Sequence, residues 1–288
     1  MRGFLDVDKM RQKLSSVTIG ILRKTVPTSE KCVYIEGGLG SQILGLLKYK
    51  LLLESDPKTY LDARYFYSHP SLGVKVWKWE LTEYGHQLPT FNNSLKAKLQ
   101  YVARESTAKA SELNLSVWKN FSLKKFNHLF PIHASTFELM KEFCIAENED
   151  FSAIHIRRGD YLSVSSKVIE LDEYAKVVRR LSTSFGKKVL VFSDDPFSES
   201  DKLRLIKSCS GELIFITGMN QHGIHGLMRF ASTLVTSNST FSLSAALLSE
   251  KEDPNIIAPT LFFSNDFKEI NLLIQQLSSW MYIEKRHL

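Results

Sequence analysis

The chain has 288 residues, 43% hydrophobic and 24% charged, with a formal net charge of +6. That is material for about two soluble domains with buried cores, and the mild positive charge suits polyanionic partners such as nucleotides without selecting one. The cysteines, Cys32, Cys144 and Cys209, are odd in number and form no CxxC pair, which argues against a disulfide scaffold or a zinc site and favours a reducing compartment.

Residues 1–27 carry Asp6, Asp8, Lys9, Arg11 and Lys13 among apolar positions. They read as a basic extension or a docked helix, not as a signal peptide. No apolar run approaches the ~20 residues of a transmembrane helix, so a soluble, cytoplasmic protein is expected. A short strand is predicted over 32–35, then a turn at Gly37-Gly38-Leu39-Gly40, then an apolar helix over 42–53. Such a turn lets backbone approach a ligand closely, and the helix start offers N–H groups to an anion or hydroxyl. Gly38 and Gly40 are therefore candidate ligand contacts.

Residues 60–137 do not resolve into clear elements. The stretch 74–79 alternates like an exposed strand or extended loop, and 96–113 has a helical pattern. Tyr65, Phe66, Tyr67, Trp77, Trp79, Tyr84, Phe91, Tyr101 and Trp118 make it rich in rings. Those rings serve either as core or as a platform for sugar C–H faces.

From residue 151 the pattern becomes regular. Strands are predicted over 153–156, 189–192, 213–216, 234–236 and 256–258. Helices are predicted over 171–185, 196–209, 221–231, 239–248 and 266–281. Short apolar strands alternating with helices mean a parallel sheet covered on both faces. Residues 151–288 are expected to form a doubly wound nucleotide-binding domain, with 1–150 a separate amino-terminal domain.

Three motifs fall at predicted strand ends, the edge where open α/β sheets bind ligands. The first is His155-Ile156-Arg157-Arg158-Gly159-Asp160-Tyr161. Adjacent guanidinium forks suit a diphosphate, although paired arginines are also common on solvated surfaces. His155, on a buried strand, is either a hydrogen-bonded core group or a support for an arginine or phosphate. The second is Phe192-Ser193-Asp194-Asp195. One carboxylate suits guanine N–H groups or ribose hydroxyls, and the other suits an arginine. Helix N-capping competes for one of them, and adjacent carboxylates match an Asp-x-Asp metal motif poorly. The third is Asn238-Ser239-Thr240-Phe241-Ser242, an anion cradle at a helix start or an ordinary N-cap. His222 and His225 lie three apart with no third ligand in view, so no metal site is expected.

The three motifs, in this order, resemble those of the α-1,2-fucosyltransferases of glycosyltransferase family 11. A similar Gly-Gly-Leu-Gly-Asn-Gln segment opens that family, which brings in Gln42. The chain departs from it at Ser41, usually Asn, at 43–46, where an aromatic-containing run is usual, and at Leu243, Ala245 and Ala246, where tryptophans are usual.

The resemblance implies an α/β GT-B arrangement of two facing Rossmann-like domains and inverting transfer from GDP-β-L-fucose without a required metal or other cofactor. Arg157 would meet the β-phosphate, with Arg158 assisting. Asp160 would be the base for the acceptor hydroxyl or a structural partner of the arginines. His155, Tyr161, Ser193, Asp194, Asp195, Asn238, Ser239, Thr240, Phe241, Gly38, Gly40 and Gln42 would complete the substrate contacts. The acceptor would be an oligosaccharide, including lipid-linked O-antigen repeats, with peripheral contact at the inner membrane and no nucleic-acid partner. The departures leave open a non-catalytic GDP-sugar or glycan-binding protein, or a fucosyltransferase of another linkage.

Overall fold

The computed structural model describes residues 32–35, 37–63, 66, 77–89, 123–146, 148–159, 169–181, 188–259 and 281–283. The basic extension over 1–27, the helical pattern over 96–113, the aromatic residues Tyr65, Tyr67, Phe91, Tyr101 and Trp118, and most of the closing helix lie outside them.

Strand β1 (Cys32–Tyr34), helix α1 (Leu39–Ser55) and strand β2 (Tyr60–Asp62) form a βαβ unit with a parallel two-stranded sheet. Short 3-10 turns follow at Leu81–Tyr84 and Leu123–Leu129, then helix α2 (Ala134–Glu142). The larger sheet is built from β3 (Ser152–Ile156), β4 (Lys188–Ser193), β5 (Glu212–Thr217), β6 (Thr233–Val235), β7 (Asn255–Pro259) and β8 (Met281–Ile283). Helices α3 (Leu171–Leu181), α4 (Glu199–Ile206), α5 (Gln221–Phe230) and α6 (Thr240–Leu247) connect its strands. All pairings are parallel, in the order β5-β4-β3-β6-β7-β8. The expected α/β class, with a parallel sheet in each half of the chain, is what the protein adopts.

Strand periodicity divides the core. In β4, Val189 and Val191 face a cluster with Tyr174, Val178 and Leu205, whereas Leu190 and Phe192 face one with Leu227, Met228 and Leu243. Alternate residues of a strand point to opposite faces, so a near-continuous apolar run serves both layers. The second cluster also takes in Ile35, Leu39, Ile43 and Leu47. Helix α1 packs on α6, and α2 packs on α5. The amino-terminal βαβ unit is thus docked on one face of the large sheet. Arg229, 1% exposed, ties α5 to the segment before α2 and to the end of α6. Its Nε donates to Leu248 O at 2.8 Å and its Nη1 to Phe130 O at 2.6 Å, while its Nη2 meets Glu250. The paired guanidinium offsets its own burial by satisfying carbonyls from distant segments.

Several boundaries differ from expectation for identifiable reasons. Helix α1 starts at Leu39, not residue 42, because Gly37 (φ +80°) turns the chain early and Gly38 is already the N-cap. Gly40 is therefore helical. Helix α4 starts at Glu199, not residue 196: the Ser198 hydroxyl accepts from Asp201 N–H at 3.1 Å and sets the helix start. The cap is thus Ser198, correcting the expectation that one of the Asp194–Asp195 carboxylates would fill it. Helix α2 has no ordinary cap signal; His133 Nδ1 accepts from Ser135 N–H at 3.2 Å. Met281, expected to end a helix, begins β8.

Candidate active site

The chain runs outward through the large sheet in one direction from β3 to β5 and in the other from β6 to β8. Between β3 and β6 the direction reverses, and such switch points open a crevice beyond the carboxyl ends of the strands. The first motif leaves β3 there, and the third leaves β6.

Arg157 Nη1 contacts Asp194 Oδ2 at 2.8 Å, and Asp194 Oδ1 accepts the Arg158 backbone N–H at 2.8 Å. One carboxylate therefore fixes both the side chain of one arginine and the backbone of the next. Gly159 makes this possible, since a Cβ there would sit 2.3 Å from Asp194 Oδ2. Arg158 Nη2 reaches Asp201 Oδ2 at 3.3 Å, and its guanidinium lies 5.9 Å from the centre of the Phe197 ring. The arginine side chains are 21% and 22% exposed, held but reachable. The neighbouring carboxylates have separate tasks. Asp195 donates its backbone N–H to Ser193 Oγ at 3.2 Å, and its side chain has no partner among the described residues.

On the β6 side, Ser237 Oγ lies 2.8 Å from His155 Nδ1, and its backbone N–H donates to Ser242 Oγ at 3.2 Å. Ser239 caps α6, its hydroxyl accepting from Phe241 N–H at 3.3 Å, and Asn238 is buried beside it. The Phe241 ring lies between two imidazoles, 5.6 Å from His155 and 5.5 Å from His225. His155 is 4% exposed and stands behind the crevice, tying β3 to the β6 turn. The buried, hydrogen-bonded position is one of the two expected of it.

Burial, reinforced by the charge of Arg157, pushes His155 down to about 3. Burial, followed by the charges of Arg229 and His222, holds His225 well below its ordinary value. An unfolded histidine titrates near ~6.5, so below that pH the unfolded chain binds protons that the folded chain excludes. Stability is therefore lost as pH falls from about 6.5 toward the folded values. Each ring should cost about 1 kcal/mol between roughly pH 6.5 and 5.5. Denaturant midpoints across that window should fall steadily; a flat profile would mean that these rings protonate in place.

The amino-terminal turn meets the same helix start. A Cβ on Gly40 would lie 2.3 Å from Phe241 N and 2.4 Å from Thr240 C, so α1 touches the first turn of α6 backbone to backbone. Beside it, Ser41 Oγ and Thr240 Oγ1 share a hydrogen bond of 3.0 Å. Gly38 lies under the Trp77 ring, 3.1 Å from where its Cβ would be. Gln42 is completely buried. Its Nε2 donates to Gly37 O at 2.9 Å and Lys78 O at 2.7 Å, and its Oε1 accepts from Glu80 N–H at 2.8 Å. Gln42 thus braces two loops from a buried position. Asp160 and Tyr161 lie outside the described residues.

The site therefore gathers Arg157, Arg158, Asp194 and Asp195 on one side of the crevice and Asn238 to Phe241 on the other. Gly40 touches the second group, and Gly38 lies against Trp77. Sequence reasoning missed Ser237, Asp201 and the reason for Gly159. A serine immediately before the third motif, and an acid on the helix following the second, were the available signals. Among the described residues, no group of three or more His, Cys, Asp or Glu is placed to hold a metal ion.

Residues 87–284 match the model of glycosyl transferase family 11. A stretch of 139 residues is 34% identical to an alpha-1,2-colitosyltransferase of Escherichia coli, covering 46% of this chain and 47% of that protein. Another match, 29% over 136 residues, is to the O-antigen biosynthesis glycosyltransferase WbnK of Escherichia coli, with 43% of each covered. The matched stretches span less than half the length of these curated relatives. Among solved structures, a glycosyl transferase family 9 protein of Veillonella parvula aligns over 90% of this chain and 88% of that one, at 12% identity and a TM-score of 0.42. POFUT1 in complex with GDP aligns over 81% of this chain and 98% of that one, at 11% identity and a TM-score of 0.43.

Proposed function

The chain belongs to glycosyl transferase family 11, whose model spans residues 87–284, and from that membership we propose that it moves a sugar from a nucleotide donor in the switch-point crevice to an acceptor hydroxyl. The donor is GDP-β-L-fucose, bound by residues 151–288, with residues 1–150 presenting the acceptor. The linkage is α-1,2 to galactose in a surface polysaccharide or O-antigen repeat; the name of one curated relative supports the O-antigen setting and that of the other the α-1,2 linkage.

The observation that carries the proposal is the pair of adjacent arginines at the sheet's ligand edge, where Asp194 holds the Arg157 guanidinium and the Arg158 backbone N–H. Transfer breaks the bond between the sugar's C1 and the β-phosphate oxygen, leaving the electron pair on GDP, while the acceptor oxygen bonds C1 from the opposite face. Arg157 sits where that negative charge gathers, with Arg158 beside it, and such preorganised charge stabilises a departing diphosphate. Asp160 takes the acceptor hydroxyl's proton or braces the arginines. The Asp195 carboxylate accepts from guanine or ribose. No divalent ion enters this scheme. The acceptor is an oligosaccharide, including one on a lipid carrier at the cytoplasmic face of the inner membrane. No helix of the described residues is long and apolar enough to cross a membrane.

One observation favours a second donor. The 34% identical relative is named for colitose, a sugar differing from fucose by one missing hydroxyl. Competition between GDP-fucose and GDP-colitose for transfer decides between them.

Thermal unfolding with added nucleotides tests the core of the reading. At ten times its dissociation constant a ligand stabilises the native state by about 1.4 kcal/mol. GDP and GDP-fucose should raise the melting temperature, while UDP, CMP and NAD should leave it near the parent value. Transfer should survive EDTA. Equal protection by UDP would remove the guanine assignment, and activity lost in EDTA but restored by manganese would replace arginine charge with a metal. GDP-fucose bound but never consumed, with any acceptor, would make the protein a binder.

A further inference from the structure

A second concavity, of about 410 Å³, opens where the amino-terminal loops face the start of α5. Lys78, Glu80, Glu83 and His133 line one side, and Asn220 and His222 the other. His222 Nε2 stands 3.5 Å from Glu80 Oε2, and His133 Nε2 stands 3.4 Å from Glu83 Oε2. The two imidazole rings are 5.3 Å apart.

These groups are held from behind. Gln42 grips the backbone on both sides of residue 79, through Lys78 O and Glu80 N–H. The Asn220 side chain accepts from His222 N–H at 2.9 Å and Gly223 N–H at 3.3 Å, which fixes the first turn of α5. His133 is fixed by capping α2. The His222 side chain is 6% exposed and packs against Tyr84 at 5.4 Å, with its buried Nδ1 lacking a hydrogen-bond partner among the described residues. The imidazole is thus clamped with one nitrogen toward Glu80.

The lining selects a ligand class. Two carboxylates oppose an anion, and every lining residue carries a polar or charged side chain, so a neutral ligand rich in hydrogen-bonding groups suits the site better than an anion or a wholly apolar group. A lysine, two imidazoles, two amides and two carboxylates supply donors and acceptors together, which a ring of hydroxyls matches because each hydroxyl both donates and accepts. The volume lies within the ordinary range for small-ligand sites, roughly 300–1,000 Å³. The place fits as well. Gln42 connects this wall to Gly37 O, and the turn that begins there ends against the start of α6 at the switch point.

We propose that this cavity is the acceptor subsite, with Glu80 and His222 holding a sugar hydroxyl between the two halves of the chain. Glu80 accepts the hydroxyl's hydrogen bond and sets which face of the sugar is presented. Its role is positioning and specificity. The proposal rests on the glycosyl-transfer reading above.

The probe is N-acetyllactosamine, followed by saturation-transfer NMR on the full chain with and without GDP. The parent should bind it. Glu80→Gln keeps the shape but weakens the acceptor and should lower its affinity at least tenfold. Gln221→Trp should do the same by filling the cavity, since Gln221 lines it and its side chain has no partner among the described residues. Both variants should melt like the parent and keep its protection by GDP. Failure of the parent to bind the disaccharide, or parent-like binding by Gln221→Trp, overturns the assignment. Absent GDP protection in the parent would instead mark failure of the donor reading, which sugar binding alone does not depend on.

Discussion

Arg157→Lys should lower kcat by about two orders of magnitude while the protein stays folded. The Arg157 fork is oriented by Asp194 at 2.8 Å, and the same carboxylate holds the Arg158 backbone. Lysine keeps the charge as a single point but cannot engage Asp194 and a phosphate oxygen through a planar fork. If the contact strengthens as charge gathers on the leaving diphosphate, the loss falls on kcat and not only on donor KM. Removing one well-placed donor of this kind costs ~3 kcal/mol, which is the hundredfold expected. Arg158→Lys should do less, because that side chain spans Asp201 and Phe197. Steady-state kinetics on both variants, with matched melting curves, give the answer. A normal kcat with a raised donor KM would leave Arg157 a binding residue only.

Gly40→Ala should be the most damaging single methyl group in the amino-terminal unit. Its Cβ would fall 2.3 Å from Phe241 N, and the obstacle is backbone, which has no rotamer to change. Helix α1 would have to leave the first turn of α6, taking the Ser41–Thr240 bond with it. Overpacking costs up to ~3 kcal/mol, or a fall in Tm of roughly 6–12 °C for a chain of this size class. Ser41→Ala removes only the hydrogen bond and should cost about 1 kcal/mol. Calorimetry on the two separates steric from polar effects. Equal, small losses would show that the helices can part cheaply.

The large sheet was legible because its strands are apolar on both faces and its helices begin at recognisable caps. Ser239 before α6 and Asn220 before α5 are ordinary cap residues followed by apolar runs. The amino-terminal half was harder. Strand β2 is three residues long, and α2 is capped by an imidazole, so neither carries a strong local pattern. In the site, the arginine loop was legible because three motifs fell at three strand ends. Its wiring was not. Sequence spacing says nothing about which of two adjacent carboxylates turns toward Arg157, and in the structure it is Asp194. Gln42 entered as a candidate contact through the family resemblance, and spacing did not show that tertiary packing engages its amide with Gly37, Lys78 and Glu80. Glu80, His133 and His222 have no mutual spacing in sequence at all.

The seating of α1 on α6 has a consequence for how the chain is made. Ser41 and Thr240, which bond across that seam, are 199 residues apart. At ordinary elongation rates of roughly 5–20 residues per second, α1 waits about 10–40 s for its partner to emerge from the ribosome. During that interval the amino-terminal unit covers Leu39, Ile43 and Leu47, buried in the finished protein, with only the early part of their cluster, because the residues of α5 and α6 that complete it are not yet made. The nascent amino-terminal unit is therefore a sticky intermediate, exposed to aggregation and suited to chaperone capture until the last third of the chain arrives.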